Sequence, residues 1–545
     1  MSHHIHEIRP AGDRAVLVQL GSLSDVLRLQ HALVQHPLEG QVDVVAAALT
    51  VLVTGDCARA TRHFPAALRG LDLGAERDAD DTLVTVDVIY DGEDLDDVAA
   101  ATSLSRHAVI AAHTEQVWTA AFGGFAPGFA YLVGENDTLN VPRRDTPRKA
   151  VPPGSVALAD NYSAVYPRKS PGGWQLIGRT DALLWNLDRE QPALVKPGNR
   201  VHFRAVREFA RAAEASAEPA LGAAADLRIV DPGLQTTVQD LGRPGYAHLG
   251  VTGGGALDRG AMRRANRMVG NPADTAVLEN ALGGLCLEVL TDQVIAVSGA
   301  GGELAIVGAA PKSDAVPGVP QIRTDRLVPR DAPFALLTGE RLTVPAPDWG
   351  VRSYLAVRGG IDTPLVLGSR STDTLSGLGV APLAHGDCLA VRVAPPTSVV
   401  GNPETSPGQP AEVTDLRFVV GPRADWFSAE TLQQLTVSEW TVTAHSNRIG
   451  LRLDGPPLER SRTGELASEG TVAGAIQVPA SGHPVLFLAD HPVTGGYPVV
   501  GVVVASDLDL AAQLDAGARI RFIAVPDEQP ESDDQPDSDD QTVES

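Results

Sequence analysis

The N-terminal region alternates between short apolar runs and helix-like stretches. Apolar residues dominate 15–20 and 42–53, while 23–34 and 57–71 have the apolar spacing of amphipathic helices. The apolar runs are typical of buried strands, and the amphipathic stretches are typical of helices that cover a sheet. The pattern therefore predicts a small α/β lobe at the start of the chain.

The following segment predicts one strand and two short helices. Residues 84–90 alternate apolar and polar side chains, whereas 94–101 and 105–113 are helix-like. Two adjacent short helices could form a helix-turn-helix, but the first is acidic and the chain has a formal net charge of −24. Because affinity for nucleic acids depends on Lys and Arg that neutralise phosphates, we expect no nucleic-acid partner.

From residue 122 onward, short strands separated by frequent Gly and Pro residues predict β-rich domains. Two stretches with a different composition interrupt these β-rich domains. Nine acidic residues, with no basic residue among them, lie between Asp527 and Glu544 and predict a solvated tail. The predicted domains are an α/β lobe at 1–80, β-rich domains at 81–206, 226–395 and 411–525, a linker at 207–225 and a disordered acidic tail at 526–545.

Composition limits the location and the chemistry of the chain. No run approaches the roughly 20 apolar residues that cross a bilayer, and the first residues lack the basic and apolar regions of a secretory signal. We therefore expect no membrane contact and a cytoplasmic location. Cys57, Cys286 and Cys388 are far apart and have no zinc or redox spacing, so no metal site is predicted.

The scarcity of lysine excludes two kinds of site. The four lysines are Lys149, Lys169, Lys196 and Lys312, and none follows a glycine. A phosphate-binding loop of the Gly-Lys-Ser/Thr kind is therefore absent, so a nucleotide must be bound in another way or by a partner. No lysine has a methionine neighbour, as the modified lysine of biotin carrier proteins does. Biotin, if it takes part, must arrive on another chain.

The densest motif combines glycines, aromatic residues and arginines. Residues 122–132 read Phe-Gly-Gly-Phe-Ala-Pro-Gly-Phe-Ala-Tyr-Leu, in which glycines allow a ligand to approach the main chain closely and the aromatic side chains could form an apolar wall. Arg143, Arg148 and Arg179 follow near further Gly and Pro turns. Because guanidinium groups suit carboxylates and phosphates, an anion site is one interpretation. In the other interpretation, the glycines and prolines shape turns, and the arginines pair with acidic residues at the surface.

These motifs resemble those of the allophanate hydrolase subunit 1 family, which includes a bacterial sporulation-kinase inhibitor and the B subunit of 5-oxoprolinase. The resemblance covers about residues 8–203 and depends on the 122–132 block and on Ser-Pro-Gly-Gly-Trp at 170–174. From about 229 to 522 the chain is similar to the allophanate hydrolase subunit 2 family, to which the C subunit of 5-oxoprolinase belongs. There the motifs include PGLQTTVQDLGR at 232–243 and TGGYP at 494–498. The order of the halves is that of urea amidolyase-type fusions.

The resemblance implies a fold, an activity and a partner. The implied fold is mainly β with a small N-terminal α/β lobe and with cyclophilin-like β-barrels, one in the first half and two in the second. The implied activity is ATP-dependent hydrolysis of 5-oxo-L-proline to L-glutamate at a site formed by both halves, with a separate protein that resembles the A subunit of 5-oxoprolinase. ATP, with Mg²⁺, would be bound by this chain or jointly with that partner. A homo-oligomer is also compatible with the family.

The chemistry of this reaction suggests roles for the candidate residues. A lactam carbonyl is a poor electrophile, so coupling to ATP requires cations near a phosphoryl group and a carboxylate that orients water. We expect Arg143, Arg148 and Arg179 to bind the anionic groups. Asp258 or Asp490 would position water or the ring N–H.

Further candidates come from the same motifs. Gln239 and Asn266 would hydrogen-bond the amide, although Asp258 and Asn266 could instead cap turns. His113 is the candidate functional histidine, and a packing role fits it equally. The remaining candidate binding residues are Phe125, Pro127, Gly128, Ser170, Trp174, Asp240, Arg243, Arg358, Gln477 and Tyr497.

Two other functions fit the resemblance. One is biotin-dependent carboxyl transfer to urea or a related amide, with the biotin supplied by another chain. The other is regulatory binding of the kinase-inhibitor kind, against which the complete second half argues, because an inhibitor would not need it.

Overall fold

The computed structural model describes residues 5–525 except 74–81, 145, 147, 210–224, 309–324 and 465. Nearly all of the predicted linker at 207–225 and the whole predicted tail at 526–545 lie outside the described residues. The predicted fold class, mainly β with an N-terminal α/β lobe, is confirmed. The predicted domain boundaries stay predictions.

The N-terminal lobe is an antiparallel sheet in the order β1-β2-β4-β3 with two helices on one face. Its elements are β1 (Ile5–Pro10), β2 (Ala15–Leu20), α1 (Leu23–Gln35), β3 (Gln41–Ala46), β4 (Thr50–Gly55) and α2 (Ala58–Gly70). Helix α1 begins where the Ser22 hydroxyl accepts a hydrogen bond from the Asp25 amide at 3.2 Å. Because side chains alternate along a strand, Val16 and Val18 pack towards the helices while Leu17 packs against the second half of the chain.

The second unit is a seven-stranded barrel in the order β12-β9-β10-β7-β6-β13-β5. A bridge between Ile89 and Arg179, with two backbone hydrogen bonds of 2.9 Å, joins its outer strands and closes the sheet. Its elements are β5 (Leu83–Val88), α3 (Leu95–Thr102), α4 (Arg106–Thr114), β6 (Trp118–Gly124), β7 (Ala126–Val133), β9 (Ser155–Ala159), β10 (Tyr162–Val165), β12 (Gln175–Arg179) and β13 (Arg200–Ala205), with a separate two-stranded sheet of β8 (Arg148–Val151) and β11 (Ser170–Gly172).

The third unit packs two sheets around one apolar core. The seven-stranded sheet has the order β20-β19-β22-β17-β14-β25-β24, and the five-stranded sheet has the order β15-β16-β23-β18-β21. The elements are β14 (Leu227–Pro232), β15 (Gln235–Gln239), α5 (Arg259–Met268), β16 (Val277–Ala281), β17 (Leu285–Val289), β18 (Gln293–Gly299), β19 (Leu304–Val307), β20 (Arg326–Val328), β21 (Phe334–Leu336), β22 (Arg341–Val344), β23 (Arg352–Val357), β24 (Ile361–Asp362) and β25 (Cys388–Val391).

The fourth unit is a closed barrel in the order β26-β33-β30-β31-β28-β27-β34. Its first strand pairs in parallel with its last, β26 with β34, just as β5 pairs with β13 in the first barrel. The elements are β26 (Val413–Val420), α6 (Ala429–Val437), β27 (Trp440–Val442), β28 (Gly450–Asp454), β29 (Glu469–Gly470), β30 (Ala475–Gln477), β31 (Val485–Phe487), β32 (Thr494–Gly495), β33 (Val499–Val503), α7 (Leu508–Ala511) and β34 (Arg519–Ala524).

Two features complete the fold. Helix α5 lies inside a region where only strands were predicted, and its Ala261, Met262 and Ala265 pack against Ala296 and Tyr354 of the five-stranded sheet. In the described part of the chain, no helix is long and apolar enough to cross a membrane.

Candidate functional site

The glycine block of the first half lies directly against the second half. An ideal Cβ on Gly123 would lie 2.8 Å from the His248 carbonyl oxygen, and one on Gly250 would lie 2.5 Å from the Ala126 carbonyl oxygen. These distances are shorter than any real carbon contact, so the two backbones approach closely only because neither residue has a side chain. We call this contact, with the residues around it from both halves, the junction.

Phe125 marks the centre of the first-half side of the junction. It has a φ of 61°, a left-handed conformation that a bulky residue rarely adopts. Its backbone N–H donates a hydrogen bond of 3.2 Å to the Thr494 hydroxyl in the second half, and its ring contacts Phe129 and Tyr166. The strained residue is thus held in place by contacts from both halves.

The lobe also binds the second half. The carboxylate of Asp43 accepts hydrogen bonds of 3.0 Å from the backbone N–H groups of Gly245 and Ala247. Burial raises the pKa of Asp43, which these two hydrogen bonds oppose. An apolar cluster combines Leu17 of the lobe with Val493 of the second half. Both the lobe and the first barrel therefore contact the second half.

A buried ionic network lies behind the second-half side of the junction. The guanidinium of Arg448 donates two hydrogen bonds of 3.0 and 2.9 Å to the Asp490 carboxylate, and it also contacts Glu279. Asp490 further accepts from the Thr374 N–H at 2.9 Å and from its hydroxyl at 2.6 Å. Although burial lowers the pKa of Arg448, the carboxylates of Asp490 and Glu279 raise it on balance. Arg448 is therefore charged and fully paired.

Asp258 belongs to the same network. One of its oxygens accepts from the Ala261 N–H at 2.7 Å and so caps helix α5, and the other accepts from the Gln513 amide at 2.7 Å. The Asp258 N–H donates to the Tyr354 hydroxyl, which in turn donates to Glu279 at 2.9 Å. Burial, assisted by the nearby Asp509, raises the pKa of Asp258 to about 6. This geometry agrees with the interpretation of Asp258 as a cap. Its other suggested role, to position water or the ring N–H of the substrate, stays a prediction.

Arg243 lies close to this network, and one nitrogen of its guanidinium has no hydrogen-bond partner among the described residues. Its side chain donates to the Val366 and Ser371 carbonyl oxygens, while its Nη1 is buried and has no hydrogen-bond partner among the described residues. The residue is only 1% exposed. Burial lowers the pKa of Arg243, opposed by Asp373, Asp240 and Asp490. A buried N–H without an acceptor is rare, so this atom requires an explanation.

Arg168 of the first half reaches the same place, and no role was predicted for it. Its Nη1 lies 3.1 Å from where a Cβ of Gly377 would stand, and it too is buried without a hydrogen-bond partner in the described chain. Burial lowers the pKa of Arg168, opposed by Asp373. Asp373 is 0% exposed and receives the N–H groups of Leu375 and Ser376 at 2.9 Å. Both halves thus contribute an incompletely bonded guanidinium to the junction.

Both halves match sequence models of one family. The description "carboxyltransferase domain, subdomain C and D" matches residues 6–195, and "carboxyltransferase domain, subdomain A and B" matches 249–524. The chain belongs to the carboxyltransferase domain family. The matched segments include the 122–132 block of the first half and Asp258, Arg448 and Asp490 of the second.

The proteins similar to this carboxyltransferase-family chain match either one half of it or nearly its whole length. The C subunit of the 5-oxoprolinase of Escherichia coli (strain K12) is 36% identical over 54% of the chain and 90% of the relative. The B subunit from Bacillus subtilis (strain 168) is 31% identical over 37% of the chain and 94% of the relative. The urea amidolyase of Lachancea kluyveri is 31% identical over 54% of the chain but only 17% of that protein. The crystal structure of TTHA0988 superposes with a TM-score of 0.81 over 94% of the chain and 99% of that structure, and the two sequences are 33% identical.

These matches confirm the resemblance that the motifs indicated. The chain combines in one polypeptide a half similar to the B subunit of 5-oxoprolinase and a half similar to the C subunit. The described residues contain no group of three or more His, Cys, Asp and Glu side chains arranged to hold a metal ion.

The three arginines predicted to bind anions have carboxylate neighbours instead. Arg148 lies 2.7 Å from the buried Asp94, and the half-exposed Arg179 lies 2.9 Å from Asp91. Arg143 lies 3.5 Å from Asp160. The interpretation in which arginines pair with acids agrees with these contacts, and the anion-binding role of the three arginines stays a prediction. Arg168 and Arg243 both lie at the junction, and each has a buried nitrogen without a described partner.

His113 lies in the core of the first barrel, away from the junction. It is 0% exposed and packs against the rings of Trp118 and Phe203. Its two ring nitrogens are hydrogen-bonded to the Tyr90 hydroxyl at 2.7 Å and to the Ser163 hydroxyl at 2.9 Å. This position agrees with the packing interpretation of His113, and its catalytic role stays a prediction.

His113 is expected to make stability pH-dependent. Burial lowers its pKa to about 3, so between pH 6.5 and 3 the unfolded chain binds a proton that the folded chain does not. Its contribution to the free energy of unfolding is therefore complete above pH 6.5, and about 2 kcal/mol of it is lost between pH 7 and pH 5. Urea denaturation at both pH values should show a smaller pH dependence for His113→Gln than for the wild type. Equal pH dependence in both proteins would contradict this position of the histidine.

The other predicted residues divide between the junction and remote positions. Asp240, next to Arg243, accepts four hydrogen bonds, two of them from the hydroxyls of Ser369 and Ser371. Gln239 donates to the Thr372 carbonyl oxygen, and its own buried oxygen has no described partner. Asn266 is 0% exposed and bonded to Thr275 and Asn271, which is a structural position.

The remaining predicted residues support the backbone or lie elsewhere. Pro127, Gly128 and Trp174 are buried in the first barrel, and Ser170 begins strand β11 of the two-stranded sheet. The side chain of Gln477 donates to the Tyr497 carbonyl oxygen at 3.2 Å, next to the junction residue Thr494. Arg358 lines a separate cleft of about 300 Å³.

Proposed function

We propose that the chain is the fused B and C component of an ATP-dependent 5-oxoprolinase, which hydrolyses 5-oxo-L-proline to L-glutamate together with a separate A-like subunit in the cytoplasm. The similarity of the two halves to the C and B subunits, over 90% and 94% of those relatives, supports the proposal. The observation that carries it is the junction, where both halves present a buried guanidinium nitrogen without an acceptor.

The residues at the junction fit the chemistry that this reaction needs. ATP would phosphorylate the lactam oxygen, which makes the ring carbon a better electrophile. Water would then add to that carbon, the C–N bond would break, and phosphate would be released in addition to ADP. Arg168 and Arg243 would hold negative charge that develops there, because fixed donors in a water-poor site stabilise charge without reorganising. Asp490, held by Arg448, keeps Thr374 in place next to Asp373. The open space beside Gly253 and Gly254, next to Arg243, leaves room for a small ligand.

An assay with the reconstituted system tests the proposal. The purified chain is mixed with its cognate A-like subunit, 5-oxo-L-proline, ATP and Mg²⁺, and glutamate and ADP are measured. We expect glutamate and ADP to form in equal amounts, and only when both proteins are present. No turnover in the complete mixture would contradict the proposal.

The family match also favours a second candidate function. Both halves match the carboxyltransferase domain, and a urea amidolyase is among the relatives. The candidate reaction is carboxyl transfer to urea or a related amide from biotin on another chain. An assay with urea, bicarbonate, ATP and a biotin-bearing partner decides between the two. Carboxylated product that avidin abolishes supports carboxyl transfer, whereas no such product, with glutamate formed from 5-oxo-L-proline in the first assay, supports hydrolysis.

A further inference from the structure

Arg243 differs from the other buried arginines of the described chain in having no carboxylate partner, and the half-buried Arg168 shares this property. Arg448 and Arg423 are buried to a similar degree as Arg243, and each is in an ion pair, with Asp490 and Glu469 respectively. No ion pair within 4.0 Å involves Arg168 or Arg243 in the described part of the chain. Asp373 lies near both cations but beyond ion-pair distance. Because a buried cation without a direct partner is costly, a ligand that completes the pairing is expected there.

The carboxylates near the two arginines already accept hydrogen bonds from other groups. Asp240 receives the hydroxyls of Ser369 and Ser371, and Asp373 receives Ser376. Neither carboxylate makes an ion pair within 4.0 Å with Arg168 or Arg243 among the described residues, so a ligand oxygen is a suitable acceptor for the unpaired guanidinium N–H groups.

The loop in front of Arg243 leaves space for such an acceptor. A Cβ built on Gly253 would meet no atom within 4 Å. One on Gly254 would meet only Arg243 Nη1 at 3.8 Å and the Thr252 hydroxyl at 3.9 Å. The space that two side chains would fill therefore lies open, beside a guanidinium donor and a hydroxyl.

We propose that Arg168 and Arg243, one from each half, together bind one oxyanion of the substrates at the junction. The planar fork of a guanidinium suits the paired oxygens of a carboxylate or a phosphoryl group, so either the carboxylate of 5-oxoproline or a phosphate group would be bound by the same donors. The inference rests on the proposed function for the identity of these substrates. It explains why the two halves act as a pair, because neither half alone supplies both donors.

Calorimetric titration of the full chain tests the inference. Inorganic phosphate and 5-oxo-L-proline are the probes, in separate arms, for the wild type, Arg168→Gln and Arg168→Lys. We expect Arg168→Gln to weaken binding of one probe at least tenfold, and Arg168→Lys to weaken it less, because it retains the charge but loses the fork. The probe that loses affinity identifies the source of the oxyanion.

The control and the opposing outcomes keep the test specific. Arg204→Gln, which breaks an exposed ion pair with Asp87, should bind both probes like the wild type, and thermal melting checks that each variant is folded. Wild-type affinity of Arg168→Gln for both probes, or no binding of either probe by the wild type, would overturn the inference. Missing turnover in the reconstituted assay alongside the expected loss of binding would instead count against the proposed function alone.

Discussion

Arg448→Met is expected to lower the free energy of unfolding by about 3–5 kcal/mol, because it leaves two buried carboxylates without their cation. Asp490 is 0% exposed and Glu279 is 3% exposed, so neither can be solvated in the folded protein. Methionine has a similar length but no charge, so the loss reflects the missing pairing more than a cavity. Urea denaturation of the wild type and the variant at pH 7 measures the difference.

Arg452→Met is the matched control. Arg452 lies four residues further along the chain, on strand β28, and is exposed. Surface substitutions of this kind usually change stability by less than about 0.5 kcal/mol. Similar stability losses in both variants would contradict the pairing role of Arg448.

Gly250→Ala is expected to reduce turnover in the reconstituted assay by about a hundredfold, because a misplacement of about 1 Å at a reacting site has an effect of this size. The added Cβ would lie 2.5 Å from the Ala126 carbonyl oxygen, and the backbone of neither half can yield without opening the junction. Turnover at saturating substrate is the measurement, together with thermal melting.

Gly245→Ala separates this effect from backbone strain. Gly245 has a φ of 94°, close to the 80° of Gly250, but a Cβ at this position would meet no atom within 4 Å. Both variants share the conformational cost of alanine at positive φ, and only one disturbs the junction. Equal turnover in the two variants would show that the close approach of the halves does not matter for activity.

The elements of the lobe and the first barrel could be predicted closely because their apolar spacing is regular. The helices predicted at 23–34 and 105–113 are Leu23–Gln35 and Arg106–Thr114 in the structure. Helix α5 was missed, although the signal was present: Asp258 is an N-cap, and Ala261, Met262 and Ala265 follow at helical spacing. The strand-like patterns on both sides of this helix favoured an all-β prediction for the region.

The sequence indicated which motifs form the site but not which arginines are free in it. Arg148 meets Asp94, which lies 54 positions earlier, and only the closed barrel brings the two together. Arg168 lies within the motif region and has no carboxylate in ion-pair contact among the described residues, a property that spacing along the chain does not reveal. His113 was ambiguous for the same reason, because its exposure depends on how α4 packs against β13.

A crystal structure of the chain with 5-oxo-L-proline and phosphate tests the central claim, that the two halves share one site, most directly. The account predicts a ligand at the junction whose oxygens contact both Arg168 and Arg243. A ligand bound wholly within one half, for example in the cleft beside Arg358, would contradict it.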